Sequence, residues 1–343
     1  MRQYHLLIAG LLALLALTLA ALTWQRGIDV APPPALPDAP SQSPRTDVEP
    51  LLPLPEIPEL PADRVALGRD LFSDPIMSRD GTVACASCHV LANGGTDNRR
   101  VSSGVGGALG AMNAPTVFNA ALNFVQFWDG RAASLEAQID GPVQNPVEMA
   151  TTWPEVLARL GENAEYAARF RAAYPDGLTA ENVRNALASF ERTLITPNAP
   201  FDRYLTGDRK ALTEAQAEGY RRFKQYGCSS CHQGANVGGN LFQRFGVMED
   251  YFADTGGANL KSNLGRFNVT GQAIDRHVFK VPSLRNVAVT APYFHDGSVE
   301  TLDEAVSIMG RVQLGQKLSD EDVSLIVGFL HTLTGTYLGD SFE

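Results

Sequence analysis

The chain has 343 residues, enough for about two domains of ordinary size. Its 38 acidic and 28 basic residues give a net charge of −10, which argues against nucleic acid as a partner because binding it requires a basic face. All 4 cysteines belong to two copies of one short motif, Cys-Ala-Ser-Cys-His and Cys-Ser-Ser-Cys-His, which excludes a disulfide scaffold.

The N-terminal segment has the features of an export signal. Arg2 precedes an apolar run over residues 6–22 that contains no charge. The run approaches the roughly 20 residues that span a bilayer, which favours an uncleaved anchor, whereas Thr18-Leu19-Ala20 is an acceptable cleavage site. We therefore expect residues 1–26 to be a signal peptide or membrane anchor. The body is then periplasmic and, if the anchor is kept, tethered to the inner membrane.

The next segment, residues 27–61, is rich in proline with scattered serine and aspartate. This composition favours extended, solvated chain, so we expect a linker. After it the sequence indicates helices and loops, with no alternating run long enough to build a sheet.

Each copy of the cysteine motif predicts covalent attachment of a c-type haem. The predicted attachment residues are Cys85, Cys88 and His89 at the first site, and Cys228, Cys231 and His232 at the second. A zinc site would need further Cys or His close to each pair, and a thioredoxin-like redox pair would leave the adjoining histidine unexplained. Thioether bonds to haem account for both cysteines and make each histidine the proximal iron ligand.

Three helices can be placed from capping residues and apolar spacing. Thr179 opens one with a stripe from Val183 to Leu194, Thr213 opens another that ends at Gly227 before the second haem motif, and Ser319 opens the last. The fold class is thus mainly α. Two haem motifs about one small domain apart predict two cytochrome c-like domains related by duplication, over residues 62–205 and 206–343.

Several longer segments follow one another within about residues 67–333. They are Gly-Gly-Thr-Asp-Asn (94–98), Asn-Ala-Pro-Thr-Val-Phe-Asn (113–119), Gln-Phe-Trp-Asp-Gly-Arg (126–131), Pro-Val-Glu-Met (146–149), Pro-Ser-Leu-Arg-Asn-Val (282–287) and Thr-Ala-Pro-Tyr-Phe-His-Asp-Gly (290–297). With the haem motifs, these segments resemble the bacterial di-haem cytochrome c peroxidases. The resemblance implies a peroxidatic N-terminal haem of low potential and an electron-accepting C-terminal haem of high potential.

The resemblance also implies the second ligand of the C-terminal haem iron, Met309, opposite His232. A thioether ligand favours ferrous iron and so raises the potential. An isolated methionine would more simply be a core residue of an amphipathic segment. In the related methylamine dehydrogenase maturation enzymes a tyrosine takes this place, so Met309 argues against their chemistry.

The catalytic residues that the resemblance implies are Trp128, Gln138 and Glu148. Trp128 corresponds to a tryptophan between the haems, and its alternative role is that of a core aromatic. Gln138 and Glu148 correspond to the distal pocket of the N-terminal haem. Glu148 is the candidate base that moves a proton between the peroxide oxygens, because an apolar pocket can tune a carboxylate for this transfer.

A calcium ion between the domains is implied only by the resemblance. Its ligands would be Asn113 and the main-chain oxygens of Thr290 and Pro292, with waters, a set of hard oxygen ligands that suits this ion. His295 would stand near the first haem without ligating it.

The chain departs from the family pattern at Val105. Many family members have a histidine here, in the glycine-rich loop after the first haem, that occupies the sixth iron position in the oxidised protein. Valine cannot bind iron, so we predict an N-terminal haem that is five-coordinate or water-ligated when oxidised and an enzyme that needs no reductive activation. Met112 is the alternative sixth ligand.

These observations predict a cytochrome-c peroxidase, an oxidoreductase that reduces hydrogen peroxide with electrons from a small cytochrome c or a copper protein. One alternative is a di-haem enzyme that oxidises a partner protein or an organic substrate. Another is a non-catalytic di-haem electron carrier, in which both irons would be six-coordinate. The resemblance also implies a homodimer.

Overall fold

The computed structural model describes residues 49–56, 59–253, 257–340 and 342. The predicted signal or anchor and most of the predicted linker lie outside these ranges. The helices are α1 (Ala62–Ser73), α2 (Cys85–Cys88), α3 (Leu135–Gln144), α4 (Trp153–Glu162), α5 (Ala164–Ala173), α6 (Ala180–Glu191), α7 (Pro200–Leu205), α8 (Glu214–Gln225), α9 (Phe267–Thr270), α10 (Leu302–Leu314) and α11 (Asp320–His331). Within the described ranges, none of them is long and apolar enough to cross a membrane.

The mainly α prediction is confirmed. The sequence patterns did not indicate the short sheet found in the described ranges, in which β1 (Phe242–Arg244) and β2 (Val278–Lys280) pair antiparallel. Strands of three residues contain too few alternations to be recognised.

The three helices predicted from capping residues are α6, α8 and α11. The hydroxyl of each N-cap residue accepts a hydrogen bond from the backbone N–H three residues on, at 3.1 Å for Thr179, 3.2 Å for Thr213 and 3.1 Å for Ser319. In α8 the Gln216 side chain also accepts from the Thr213 N–H at 2.9 Å, which completes the predicted capping box.

Two apolar clusters form most of the core. The first runs from Leu67 to Leu194, and the second contains Leu51 and residues from Phe201 to Leu333. In the first cluster α1 packs against α6, and in the second α8 packs against α11. The closest approach of each pair is at a glycine, since a Cβ on Gly68 or Gly219 would lie 1.9 Å from a backbone carbonyl oxygen of the facing helix.

A short stretch of the predicted linker is packed against the folded body. Leu51 is fully buried in the second cluster, and the Gly234 N–H donates to the Pro50 carbonyl at 2.9 Å. Arg285 donates to the Leu52 carbonyl, also at 2.9 Å. Burial of an apolar side chain in a core stabilises the packed conformation of the chain. A proline-rich composition does not reveal such burial.

A buried polar network joins the two clusters. The Thr196 hydroxyl accepts from the amides of Asn119 at 2.9 Å and Asn286 at 3.1 Å, and all three residues have no exposed surface. Near the C-terminus, Tyr337 packs back onto Phe118 of the first cluster. The boundary between 62–205 and 206–343 therefore stays a prediction, because the two parts share contacts.

Candidate functional site

The first cysteine motif forms the single-turn helix α2, and His89 follows at its end. The His89 Nδ1 lies 3.2 Å from the Gly95 carbonyl oxygen. A carbonyl only accepts hydrogen bonds, so Nδ1 carries the proton and Nε2 keeps its lone pair. This is the arrangement by which a backbone carbonyl orients a histidine that ligates a metal.

The second motif repeats this geometry around a 3₁₀ turn, Cys228–Ser230. The His232 Nδ1 lies 3.4 Å from the Val237 carbonyl oxygen, and the Pro282 carbonyl also faces the ring. Burial lowers the pKa of His232 to about 4, so the imidazole is neutral at pH 7 and its Nε2 can bind iron.

The four cysteines are half-buried and unbridged. Burial raises the pKa of Cys85 to about 12 and that of Cys228 to about 11, which keeps both as thiols. Each pair lies on one turn next to a histidine whose Nε2 is available. The residues present therefore fit two covalently attached haems.

The loop that contains Val105 lies against the backbone of Glu148. Val105 is 5% exposed and belongs to the first apolar cluster, and its N–H donates to the Glu148 carbonyl at 2.8 Å. A Cβ on Gly104 would come within 2.2 Å of the Val147 carbonyl, so only glycine permits this approach. The loop and the Glu148 turn are thus fixed together.

The Glu148 carboxylate accepts a hydrogen bond from Asn145, whose Nδ2 donates to Oε1 at 2.5 Å. Burial raises the pKa of Glu148, and its charge acts on Cys88, so the carboxylate lies beside the first cysteine motif. Sequence reasoning missed Asn145, although it lies three residues before Glu148 in the same segment.

Trp128 connects the two halves of the protein. Its Nε1 donates to the Asn113 carbonyl at 3.0 Å, and its own carbonyl accepts from the Lys280 N–H at 2.8 Å. Its ring meets the buried His295 ring edge-on at 6.4 Å, and His295 Nε2 lies 2.7 Å from the Asn263 side-chain oxygen.

Met309 lies half-buried on α10 and packs against a third apolar cluster of Phe245, Phe252, Phe279 and Val312. Trp128 and Met112 pack against the same cluster. Val105, by contrast, belongs to the first cluster. The structure thus brings Met309, Trp128 and Met112 to one apolar region, whereas Val105 packs in another.

The remaining predicted residues are placed as follows. Gln138 is half-buried on α3, whose end leads into the Glu148 turn. Asn113 is buried and uses its Nδ2 to donate to the Arg99 carbonyl at 2.9 Å. Thr290 and Pro292 follow a short 3₁₀ turn, Val287–Val289.

Sequence reasoning also missed Glu191, the last residue of α6. It is 7% exposed, burial raises its pKa to about 8, and its charge acts on Cys85. In the sequence it is a charge at the end of an amphipathic helix, a pattern typical of an exposed residue. Only its contacts identify it as a buried carboxyl beside the first site.

Comparison with known proteins identifies the family. Residues 62–210 match the family described as di-haem cytochrome c peroxidase. The chain is 49% identical over 290 residues to cytochrome c peroxidase Ccp of Escherichia coli, an alignment that covers 84% of this chain and 62% of that protein. It is 45% identical over 288 residues to cytochrome c551 peroxidase of Nitrosomonas europaea, covering 84% of each.

Among solved structures, the fold is similar to that of a MauG-like protein associated with microbial copper homeostasis. The TM-score is 0.74 at 29% identity, and the alignment covers 84% of this chain and 95% of that one. The family implies two haem c groups, which the two cysteine motifs and their histidines fit. The chain is therefore an oxidoreductase of the di-haem cytochrome c peroxidase family.

Proposed function

We propose that the chain reduces hydrogen peroxide to two waters, taking two electrons from a small cytochrome c or a copper protein and two protons from solvent. The first haem would be attached at Cys85 and Cys88 with His89 as proximal ligand, and the second at Cys228 and Cys231 with His232 and Met309.

We further propose that no reductive activation is needed. The observation that carries this proposal is Val105, a buried aliphatic side chain held next to Glu148 where many relatives have a histidine ligand.

Bound haem would supply the iron at which the O–O bond breaks. The protein residues would manage the protons. Since Asn145 donates to Oε1 of Glu148, Oε2 would take a proton from one oxygen of the peroxide and return it to the other, which would leave as water. The raised pKa of Glu148 supports this role, because a more basic carboxylate accepts a proton more readily. Gln138 would help to position the peroxide.

The electrons would pass from the second site to the first by way of Trp128. Its hydrogen bonds to Asn113 in one half and Lys280 in the other support this role. Its packing against the same apolar cluster as Met309 also supports it, because Trp128 then lies close to the proposed second ligand of the C-terminal haem iron.

The calcium site is part of the same proposal. With the Asn113 Nδ2 donating to the Arg99 carbonyl, its side-chain oxygen is the acceptor that would face the ion. The main-chain oxygens of Thr290 and Pro292 would complete the protein ligands, and waters would fill the remaining positions.

We also propose periplasmic location, tethering by residues 1–26 if they are not cleaved, a homodimer, and origin of the two halves by duplication. The equivalent contacts of Gly68 and Gly219 support duplication.

Oxidation of a partner protein or an organic substrate is the second candidate function, favoured by the similarity to the MauG-like structure. A methionine at position 309 speaks against it. A non-catalytic carrier would need a sixth ligand at the first haem, and Val105 cannot supply one. Turnover of peroxide with reduced cytochrome, compared with turnover on candidate protein substrates, separates these functions.

The test of the main proposal is a low-temperature electron paramagnetic resonance spectrum of the oxidised protein, followed by addition of peroxide without prior reduction. We expect a high-spin ferric signal from one haem that disappears with peroxide. Val105→His should convert this signal to low spin and block the reaction until the second haem is reduced, whereas Val105→Ala, which adds no ligand, should not. Two low-spin signals in the unaltered protein that ignore peroxide would contradict the proposal and indicate another ligand, such as Met112.

A further inference from the structure

Lys280 is a buried lysine without a counter-charge. It ends β2, is 6% exposed, and forms no ion pair or side-chain hydrogen bond with any residue in the described ranges. Burial lowers its pKa to about 8, and no neighbouring carboxylate opposes this effect. A buried ammonium without a partner is costly, so this position favours an anion that none of the described residues provides.

The strand that ends at Lys280 adjoins the second cysteine motif. In the sheet Lys280 pairs with Phe242, and the next residue of β1, Gln243, places its amide 3.9 Å from the sulfur of Cys231. Two residues after Lys280, the Pro282 carbonyl faces the ring of His232. The Lys280 backbone is in turn bonded to Trp128 at 2.8 Å. The Lys280 backbone therefore adjoins both Trp128 and the segment that contacts His232.

A c-type haem has two propionate carboxylates at its edge, and these are the anions that the second site would contain. The inference rests on the proposed function, because it requires haem attached at Cys228 and Cys231. We propose that the Lys280 ammonium pairs with a propionate of this haem and raises its reduction potential.

The direction of the effect follows from charge. The oxidised haem has one more positive charge than the reduced haem, so a nearby cation in a poorly hydrated site disfavours oxidation. Lys280 would thus act in the same direction as a thioether ligand, and its contribution would not depend on Met309. The residue is a positioning and tuning group, since it does not touch peroxide.

The experiment is a redox titration of the loaded protein, followed by absorbance, for the unaltered chain and for Lys280→Met. Lys317→Met is the matched control, because Lys317 is an exposed lysine of the same half and its loss changes the net charge equally. We expect Lys280→Met to increase the ferric to ferrous ratio of the second haem about tenfold at a fixed potential, which is about 59 mV toward more negative values. Lys280→Arg should retain most of the potential, and Lys317→Met should leave it unchanged.

Equal shifts in Lys280→Met and Lys317→Met would overturn the inference. A haem count of two per chain in the unaltered protein shows that the proposed attachment holds, so failure of the tuning role and failure of the proposed function are distinguishable. A crystal structure of the unaltered loaded protein gives a test that does not depend on the folding of any variant. It should show Lys280 Nζ at about 2.7–2.9 Å from a propionate oxygen, and a Nζ without a propionate within hydrogen-bonding distance would overturn the inference.

Discussion

Glu148 combines three properties at the scale of the residue that a proton-transferring base needs. It lies beside the first cysteine motif, its pKa is raised by burial, and one carboxylate oxygen is held by Asn145 while the other remains to exchange a proton. The backbone of the same residue accepts from the Val105 N–H at 2.8 Å. The proposed base and the Val105 loop are thus held together by a backbone hydrogen bond.

We expect Glu148→Gln to lower the rate of the reaction with peroxide by about 100-fold or more, because general base catalysis contributes this much and an amide cannot accept the proton. In the unaltered protein the rate should fall as the pH drops through the pKa of Glu148, which burial holds above its usual value, since the base must be deprotonated. The variant should lose this acidic limb. Stopped-flow mixing with peroxide over a pH series measures both effects.

The control is Glu162→Gln, which removes an exposed carboxylate of the same half. It should leave the rate and the pH profile unchanged. A Glu148→Gln variant with two haems per chain and the peroxide rate of the unaltered protein would show that another residue is the base.

At the scale of the element, glycine determines how closely the long helices pack. In the second cluster α8 crosses α11 at Gly219, where a Cβ would lie 1.9 Å from the Leu325 carbonyl oxygen and 3.1 Å from the Cβ of Phe329. The obstacle is backbone, which cannot move away without shifting the helix. The same contact recurs between Gly68 and the Ala186 carbonyl in the first cluster.

We expect Gly219→Ala to lower the free energy of unfolding by about 1–3 kcal/mol, because the added methyl forces the helices apart. Gly328→Ala in α11 is the matched control, since nothing lies within 4 Å of a Cβ at that position. There the lower entropy of the unfolded chain should increase stability by about 0.5–1 kcal/mol. Urea denaturation followed by circular dichroism gives both values, and equal effects of the two substitutions would contradict the packing argument.

At the scale of the whole molecule, the halves are joined by polar groups that are buried and satisfied. Thr196 accepts from Asn119 on one side and from Asn286 on the other, at 2.9 and 3.1 Å, and Asn286 also accepts from the Gly335 N–H at 3.1 Å. Such a network is stabilising only when every member has its partner. We therefore expect the network to hold the two cysteine motifs in their relative position.

Thr196→Val should therefore cost about 1–3 kcal/mol, because it leaves two buried amides without an acceptor. Thr334→Val is a control of the same chemistry, since the buried Thr334 hydroxyl has no hydrogen-bond partner among the described residues and its loss should be neutral or slightly stabilising. Thermal unfolding followed separately by far-ultraviolet circular dichroism and haem absorbance measures the difference. If Thr196→Val is no less stable than Thr334→Val, the network does not hold the halves together.

The sequence by itself determined the family, the mainly α class and the starts of α6, α8 and α11. These features depend on adjacent residues or on helical spacing, so short segments contain all the information. The candidate site was predicted in part: Glu148, Trp128 and Val105 follow from ordered motifs, whereas Asn145, Glu191 and Lys280 were missed.

Only the tertiary structure decided which charges are buried and which contacts join distant segments. Lys280 and Glu191 are ordinary surface residues by pattern, and their burial depends on segments far away along the chain. Leu51 was expected in a solvated linker, yet it completes a core formed by residues from Phe201 to Leu333. The burial of a side chain depends on all the residues that surround it in space. Many of these are distant along the chain, so the local sequence does not reveal the burial.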